Sequence, residues 1–216
     1  MKVNREIVVE AGLKLLNEVG LEQLTLRRLA QELKIQAPTL YWHYRSKEEL
    51  IDAMATLVLA RGSPDLVPSK NTRDWKSWVS AFGVGLRKTL LQYRDGARLV
   101  AGSRLTDTVY METAERIGQH LIEAGFNLRQ AVVLLSTVYT FTVSFVIEEQ
   151  AVFPAQRKRS PAYSLEKRNV KLDRKKFPIL RQSGEILFDR FEQRYKDSLG
   201  LIVGGASFTD KGRFRT

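Results

Sequence analysis

The chain has 216 residues, with 35 Lys+Arg against 24 Asp+Glu, a formal net charge of +11 and no cysteine. That length admits one large domain or a small domain plus a larger one. The missing cysteines exclude disulfides and thiolate metal sites and fit a reducing cytoplasm, the expected location. The charge invites a nucleic-acid partner, but it is unevenly spread: nine Lys+Arg against eight Asp+Glu in residues 1–61, ten against nine in 62–154, and sixteen against seven in 155–216. The basic excess is confined to the C-terminal part of the chain, so overall charge by itself does not establish a nucleic-acid partner.

The hydrophobic period is helical almost throughout, which predicts an all-α fold. Val8, Ala11, Leu15, Leu16 and Val19 share one face of a first helix, capped by Asn4 and stopped at Gly20. Charged Arg5, Glu6 and Glu10 exclude a signal peptide here. Thr25 caps a second helix with Leu26, Leu29, Ala30 and Leu33 inward. A third runs from Ala37-Pro38 to Tyr44, with Pro in the first turn, where its missing N–H is harmless. Ser46 and Glu49 form a capping box that opens a fourth helix through Met54, Leu57 and Val58. Gly62-Ser63-Pro64-Asp65 to Asn71 reads as a connector without periodicity.

Trp75, Trp78, Val79, Phe82 and Leu86 mark a fifth helix. Thr106 to Ala124 reads as another, stopped at Gly125, and Asn127 caps a long apolar helix to Gln150. Its stretch from Ala131 to Ile147 carries no charge. A spanning helix needs roughly 20 predominantly apolar residues, and Ser136, Thr137, Thr140, Thr142 and Ser144 interrupt this one. A core or subunit-interface helix is expected, with no membrane partner. Residues 154–176, with two prolines and nine Lys+Arg against two acids, read as a mobile loop able to steer an anion. Helices over Ile179–Phe188 and Phe191–Val203 follow, then a tail over 208–216.

The first three helices have the lengths and turns of a helix-turn-helix supported by an extra helix, whose second motif helix would enter the major groove. Tyr41, Trp42 and Tyr44 cannot all face one core, and exposed aromatics beside Thr39, Arg45 and Lys47 suit a surface that hugs DNA. Spacing alone leaves core packing open as the alternative. No nucleophile–base constellation suggests an enzyme. His43 and His120 are the only histidines, too few for a triad or a zinc site. Gly83-Val84-Gly85 sits inside a helical pattern and reads as close helix packing. No metal or cofactor is expected.

Residues 4–61 resemble the DNA-binding domain of the tetracycline-repressor family. The residues that carry this are Leu24-Thr25-Leu26-Arg27-Arg28-Leu29-Ala30-Gln31-Glu32-Leu33, then Ala37-Pro38-Thr39-Leu40-Tyr41-Trp42-His43, then Lys47. The remainder is similar more weakly, through Trp75, Arg94-Asp95-Gly96-Ala97, Gly102, Arg104, Tyr110, Gly125-Phe126, Phe141-Thr142, Leu180-Arg181-Gln182 and Phe188-Asp189. The resemblance implies a DNA-binding domain over 1–61 and a helical ligand-binding and dimerisation domain over 62–207. It implies a homodimeric repressor on a pseudo-palindromic operator, released by a small molecule. An architectural DNA-binding protein without an inducer is the alternative.

Carried over by position, the resemblance makes Arg27, Pro38, Thr39 and Tyr41 base contacts and Thr25, Trp42, His43 and Lys47 phosphate-facing. Ala37 stands where a glutamine reads adenine, so the operator should differ there. In the pocket, Val100 replaces a histidine that ligates a drug-bound magnesium, and Val binds no metal. Pro64, Phe82, Leu86 and Arg116 stand where His, Asn, Phe and Gln hold the drug. The expected pocket is Phe82, Leu86, Val100, Val138 and Phe141 as apolar walls, with Ser103, Tyr110, Arg116 and Glu148 orienting a mostly apolar, aromatic inducer bound without metal.

Overall fold

The computed structural model describes residues 3–67, 74–105, 108–154 and 158–206, with only the backbone of 108–110. The tail expected at 208–216 lies outside the described residues, as does the side chain of Tyr110. Eleven α-helices and one 3-10 turn make up the described regular structure, without a sheet.

α1 (Arg5–Val19) begins where Asn4 Oδ1 accepts the Ile7 N–H at 2.8 Å, and it ends at Gly20, whose φ is +81°. α2 (Leu26–Glu32) is capped by Thr25 Oγ1, which accepts the Arg28 N–H at 3.2 Å. α2 closes with a Schellman motif: Ile35 N–H donates to Ala30 O and Lys34 N–H to Gln31 O, with Lys34 left-handed at φ 54°. This tight turn aims α3 (Ala37–Tyr41), which is shorter than expected. Trp42 ends it, while His43 and Tyr44 bond back to Leu40 O.

α4 (Lys47–Leu66) is capped by Ser46 Oγ, which accepts the Glu49 N–H at 3.2 Å. The expected reciprocal half of the box is replaced. The Glu49 carboxylate accepts the Arg45 N–H at 2.9 Å and pairs with Arg5 at 3.0 Å. The Arg45 bond first, and then Arg5, hold that carboxyl below its ordinary value. The connector expected at Gly62-Ser63-Pro64-Asp65 is helix instead. α4 runs through Pro64 to Leu66 because Gly62 is a packing glycine: a Cβ there would sit 2.5 Å from Thr89 Oγ1 on the next helix. Residues 68–71 of that connector lie outside the described residues.

α5 (Trp75–Leu91) and α8 (Leu128–Val152) form the centre of the larger domain. α4, α6 (Gly96–Val100), α7 (Thr108–Glu123) and α11 (Phe191–Gly205) pack around them. Gly83 allows α11 onto α5, since a Cβ would meet Leu199 Cδ2 and Tyr195 Oη at 2.9 Å. Beside this seam Arg87 of α5 makes a bidentate pair with Glu149 of α8 at 2.8 and 2.6 Å, and both side chains are largely buried. Tyr195 Oη lies 2.7 Å from Thr142 Oγ1, and burial pushes its hydroxyl up to about 12.

α8 is long and apolar enough to cross a membrane by length and composition. Ala131, Leu134, Val138, Thr142, Val143, Phe145 and Val146 are nevertheless buried by its neighbours. Residues 158–176 are more ordered than a loop: a 3-10 turn at Pro161–Tyr163 precedes α9 (Leu165–Val170), whose cap is Ser164 Oγ, accepting the Lys167 N–H. α10 (Pro178–Phe188) links α9 to α11.

Candidate DNA interface and ligand cavity

Buried Leu40 and Tyr44 anchor the α3 segment, and they force the residues between them outward. Tyr41 is 52% and Trp42 88% exposed. Tyr44 is held by an Arg5 guanidinium 4.5 Å from its ring centroid. Thr25, Arg27, Pro38 and Thr39 are exposed, while Ala37, His43 and Lys47 are half-buried. Lys47 Nζ donates to Leu21 O at 3.1 Å, so one of its donors already ties α4 to the α1–α2 turn. The nine residues expected to meet DNA thus fall on α2, its turn, α3 and the start of α4.

The small net charge of this domain conceals a sorted distribution. Arg5, Lys14 and Arg61 pair with Glu49, Glu32 and Glu10. Arg27, Arg28, Lys34, Arg45 and Lys47 enter no ion pair among the described residues, and all five lie on α2, its turn or the α3–α4 approach. Sequence counting averaged these two populations together.

The larger domain holds a cavity of about 280 Å³ between four helices. Its lining comes from Leu59, Ser63 and Leu66 of α4, Phe82 and Leu86 of α5, Thr113, Ala114 and Ile117 of α7, and Leu135, Ser136 and Tyr139 of α8. Of the expected pocket residues, Phe82 and Leu86 are here, Val100, Ser103, Arg116, Val138, Phe141 and Glu148 are not among the described lining, and the side chain of Tyr110 lies outside the described residues. Val100 is buried in α6 and Val138 in α8 without reaching the lining. Ser103 Oγ is turned onto Leu99 O at 2.6 Å. Phe141 stacks on Tyr195 with centroids 5.5 Å apart. Arg116 is on the exposed side of α7, while Thr113 and Ile117 of the same helix face the cavity. Glu148 is exposed and sits 3.9 Å from Arg194, so it pairs there and not with Arg116. Sequence reasoning missed Ser63, Thr113, Ser136 and Tyr139. The available signal was spacing: Leu59, Ser63 and Leu66 recur at i, i+4 and i+7, and Thr113 and Ile117 at i and i+4.

α6 connects the two sites. Gln150 Oε1 of α8 accepts the Ala97 N–H at 3.2 Å, and Gln150 Nε2 donates to Tyr93 O at 2.7 Å. From the α5–α6 turn, Asp95 Oδ2 accepts the Leu21 N–H at 2.9 Å and Arg94 Nη1 donates to Glu18 O at 2.7 Å. Arg98 pairs with Glu22 and Arg104 with Asp52. Gly20 makes this join possible, since a Cβ there would meet Asp95 Oδ2 at 2.9 Å at a φ unsuited to side chains.

Two family profiles match the chain: "Bacterial regulatory proteins, tetR family" over residues 8–54 and "Tetracyclin repressor-like, C-terminal domain" over residues 67–208. The chain is 36% identical over 205 residues to the class D tetracycline repressor protein of Escherichia coli, covering 94% of this chain and 89% of that protein. A possible TetR family transcriptional regulator from Streptomyces coelicolor A3(2) superposes with a TM-score of 0.82 at 32% identity, covering 94% and 98% of the two chains. A TetR variant from Acinetobacter baumannii AYE in complex with minocycline gives 0.75 at 31% identity, covering 96% and 100%.

Proposed function

The chain belongs to the tetracycline-repressor family of bacterial transcription regulators, and on that premise we propose that it is a homodimeric repressor released from a pseudo-palindromic operator by a small, mostly apolar inducer. The observation that carries the DNA half is the α2–α4 surface: exposed Tyr41 and Trp42 on the α3 segment, with Arg27, Arg28, Lys34, Arg45 and Lys47 on the flanking elements entering no ion pair among the described residues. Such cations release counterions from the phosphates, and the aromatic and hydroxyl groups between them reach base edges. The relative solved with minocycline supports the ligand half, together with a cavity walled by Leu59, Leu66, Phe82, Leu86 and Ile117.

Two copies would meet along α8 and α11. Leu128, Val132, Val133, Ser136, Thr137 and Thr140 leave an exposed, charge-free stripe on α8. Ser136, Thr137 and Thr140 turn their hydroxyls back onto helix carbonyls. Leu201 is 79% exposed on α11, beside Gly200 and Gly204, where added Cβ atoms would meet open space. Apolar and small residues together let helices approach closely, and a stripe this apolar is a poor solvent face. Val133→Glu places a carboxylate at that seam and is expected to shift the protein from dimer to monomer in light scattering at micromolar concentration. A wild-type monomer would contradict the dimer.

DNA selected from a random pool should converge on an inverted repeat, because a two-fold dimer presents two recognition helices. Unrelated or unrepeated sequences would contradict the proposal and favour an architectural protein. Arg27→Ala should cost about 1–3 kcal/mol of affinity for the selected site and relax preference at one base pair. An equal loss on random DNA would make Arg27 a phosphate contact. Inducer binding should survive EDTA, since among the described residues no carboxylate or imidazole lines the cavity.

A further inference from the structure

The cations of the basic segment over residues 158–176 fall into two groups. Arginines fasten the segment to the helices beside it. Arg159 donates to Tyr163 O at 3.0 Å and to Phe188 O at 2.7 Å, and it pairs with Asp189. Arg168 lies 5.8 Å from the centroid of the Phe188 ring, and Arg181 of α10 donates to Leu172 O at 2.7 Å. The second group points outward. Lys158, Lys167, Lys171, Arg174, Lys175 and Lys176 are exposed and enter no ion pair among the described residues. Glu166 and Asp173 are the only carboxylates within the segment. Asp173 Oδ1 accepts the Lys175 and Lys176 N–H groups at 2.9 and 2.7 Å, which ties down the turn that presents these two lysines.

Like charges gathered on one folded segment repel one another. A polyanion relieves that repulsion and releases its own counterions as it binds. Five of the six outward cations are lysines, hydrated point charges without the planar fork that selects a single carboxylate. They suit phosphates contacted without regard to sequence. A lipid surface fits less well, because an interfacial helix buries a continuous apolar face. α9 spans six residues, its Leu165 is turned towards Gly184, and Val170 is its one exposed large apolar residue. The chain's family consists of bacterial regulatory proteins that act on DNA, so DNA is the polyanion at hand.

The patch is separate from the α3 surface. α9 packs on α10, α10 on α11, and α11 on α5 and α8, whereas α3 packs on α2, α2 on α1 and α1 on α4. We propose that the patch is a second, sequence-independent DNA site, which holds the phosphates of another duplex while the α3 surfaces hold the operator. One dimer would then bridge two duplexes, an activity beyond repression at a single site.

Fluorescence energy transfer tests this on the full-length protein. A donor-labelled operator duplex from the random-pool selection is kept in excess over dimer, and an acceptor-labelled duplex of unrelated sequence is added. Transfer requires both duplexes on one dimer. The wild type is expected to give transfer at about 50 mM salt that is lost by about 200 mM. The variant Lys167→Gln/Lys171→Gln/Arg174→Gln/Lys175→Gln should weaken the second duplex about tenfold and flatten its log–log salt dependence by about 0.9 for each phosphate contact removed. Its operator affinity should be unchanged, which also reports that it folds. Absence of transfer from the wild type overturns the proposal, as does transfer that the variant leaves undiminished. An equal loss of operator affinity in the variant would place the patch on the operator duplex itself and overturn the second site. Tighter binding of phosphatidylglycerol vesicles than of the unrelated duplex would make a lipid surface the partner instead. The random-pool selection reports separately on the repressor reading, so an inverted repeat alongside absent transfer would sink only this inference.

Discussion

Replacing Glu149 with alanine is expected to destabilise the protein by about 3–5 kcal/mol, the cost of leaving a buried charge without its partner. Glu149 holds Arg87 by two bonds, at 2.6 and 2.8 Å, where α5, α8 and α11 meet. Arg87 also lies 5.4 Å from the centroid of the Tyr195 ring, so it cannot swing into water without opening that packing. Replacing both partners with apolar residues of similar size should cost much less, because the desolvation penalty leaves with the charges. Urea unfolding at one fixed protomer concentration measures both variants. A loss below 1 kcal/mol for Glu149→Ala would mean that solvent reaches Arg87.

The second large effect concerns communication between the sites. Asp95→Ala should leave operator binding and inducer binding individually close to wild type while abolishing most of the coupling between them. Couplings of this kind ordinarily amount to 1–3 kcal/mol, or 5–150-fold. Asp95 is the acceptor for the Leu21 N–H in the turn that positions α2. It sits at the head of α6, which Gln150 ties to α8 and so to a wall of the cavity. A wall that moves on ligand binding can displace the α1–α2 turn only through such rigid connections. Asp95→Asn keeps both an acceptor oxygen and tolerance for the left-handed backbone seen here, at φ 55°. It should therefore keep the coupling. Operator anisotropy with and without saturating inducer reads the difference. Undiminished release by the alanine variant would place the coupling elsewhere.

How far the sequence discloses this protein depends on what each inference needed. Caps are local, and Asn4, Thr25 and Asn127 accept the amide hydrogens that sequence assigns to them. Long amphipathic runs are likewise legible, so α1, α5, α8 and α11 were expected within a few residues of their ends. The misreadings arise where tertiary contact overrides local preference. Gly62 and Pro64 look like a helix stop, yet the need to pack α4 against Thr89 keeps the helix going. α6 spans five residues, too few for a period, and it depends on Gly96, where a Cβ would sit 2.2 Å from Leu90 O. Basic residues and prolines concealed α9.

The residues expected to meet DNA lie together because they belong to one compact motif, which a linear pattern can describe. The cavity is instead assembled from four helices and turns on which face each residue occupies, which a linear pattern does not specify. Carrying residues over by position chose Glu148, but its neighbour Glu149 is the buried one. The same reasoning chose Arg116, which the helix turns outward.

The central claim is that ligand in this cavity releases DNA from the α3 surface. Ala114 lines the cavity yet is itself exposed, so Ala114→Trp can fill the space without disturbing the core. The decisive measurement is fluorescence anisotropy of the selected operator, bound by wild type or by Ala114→Trp and titrated with a compound that releases the wild type. The account predicts equal operator affinity for both proteins and release of the wild type alone. Equal release of both would contradict it.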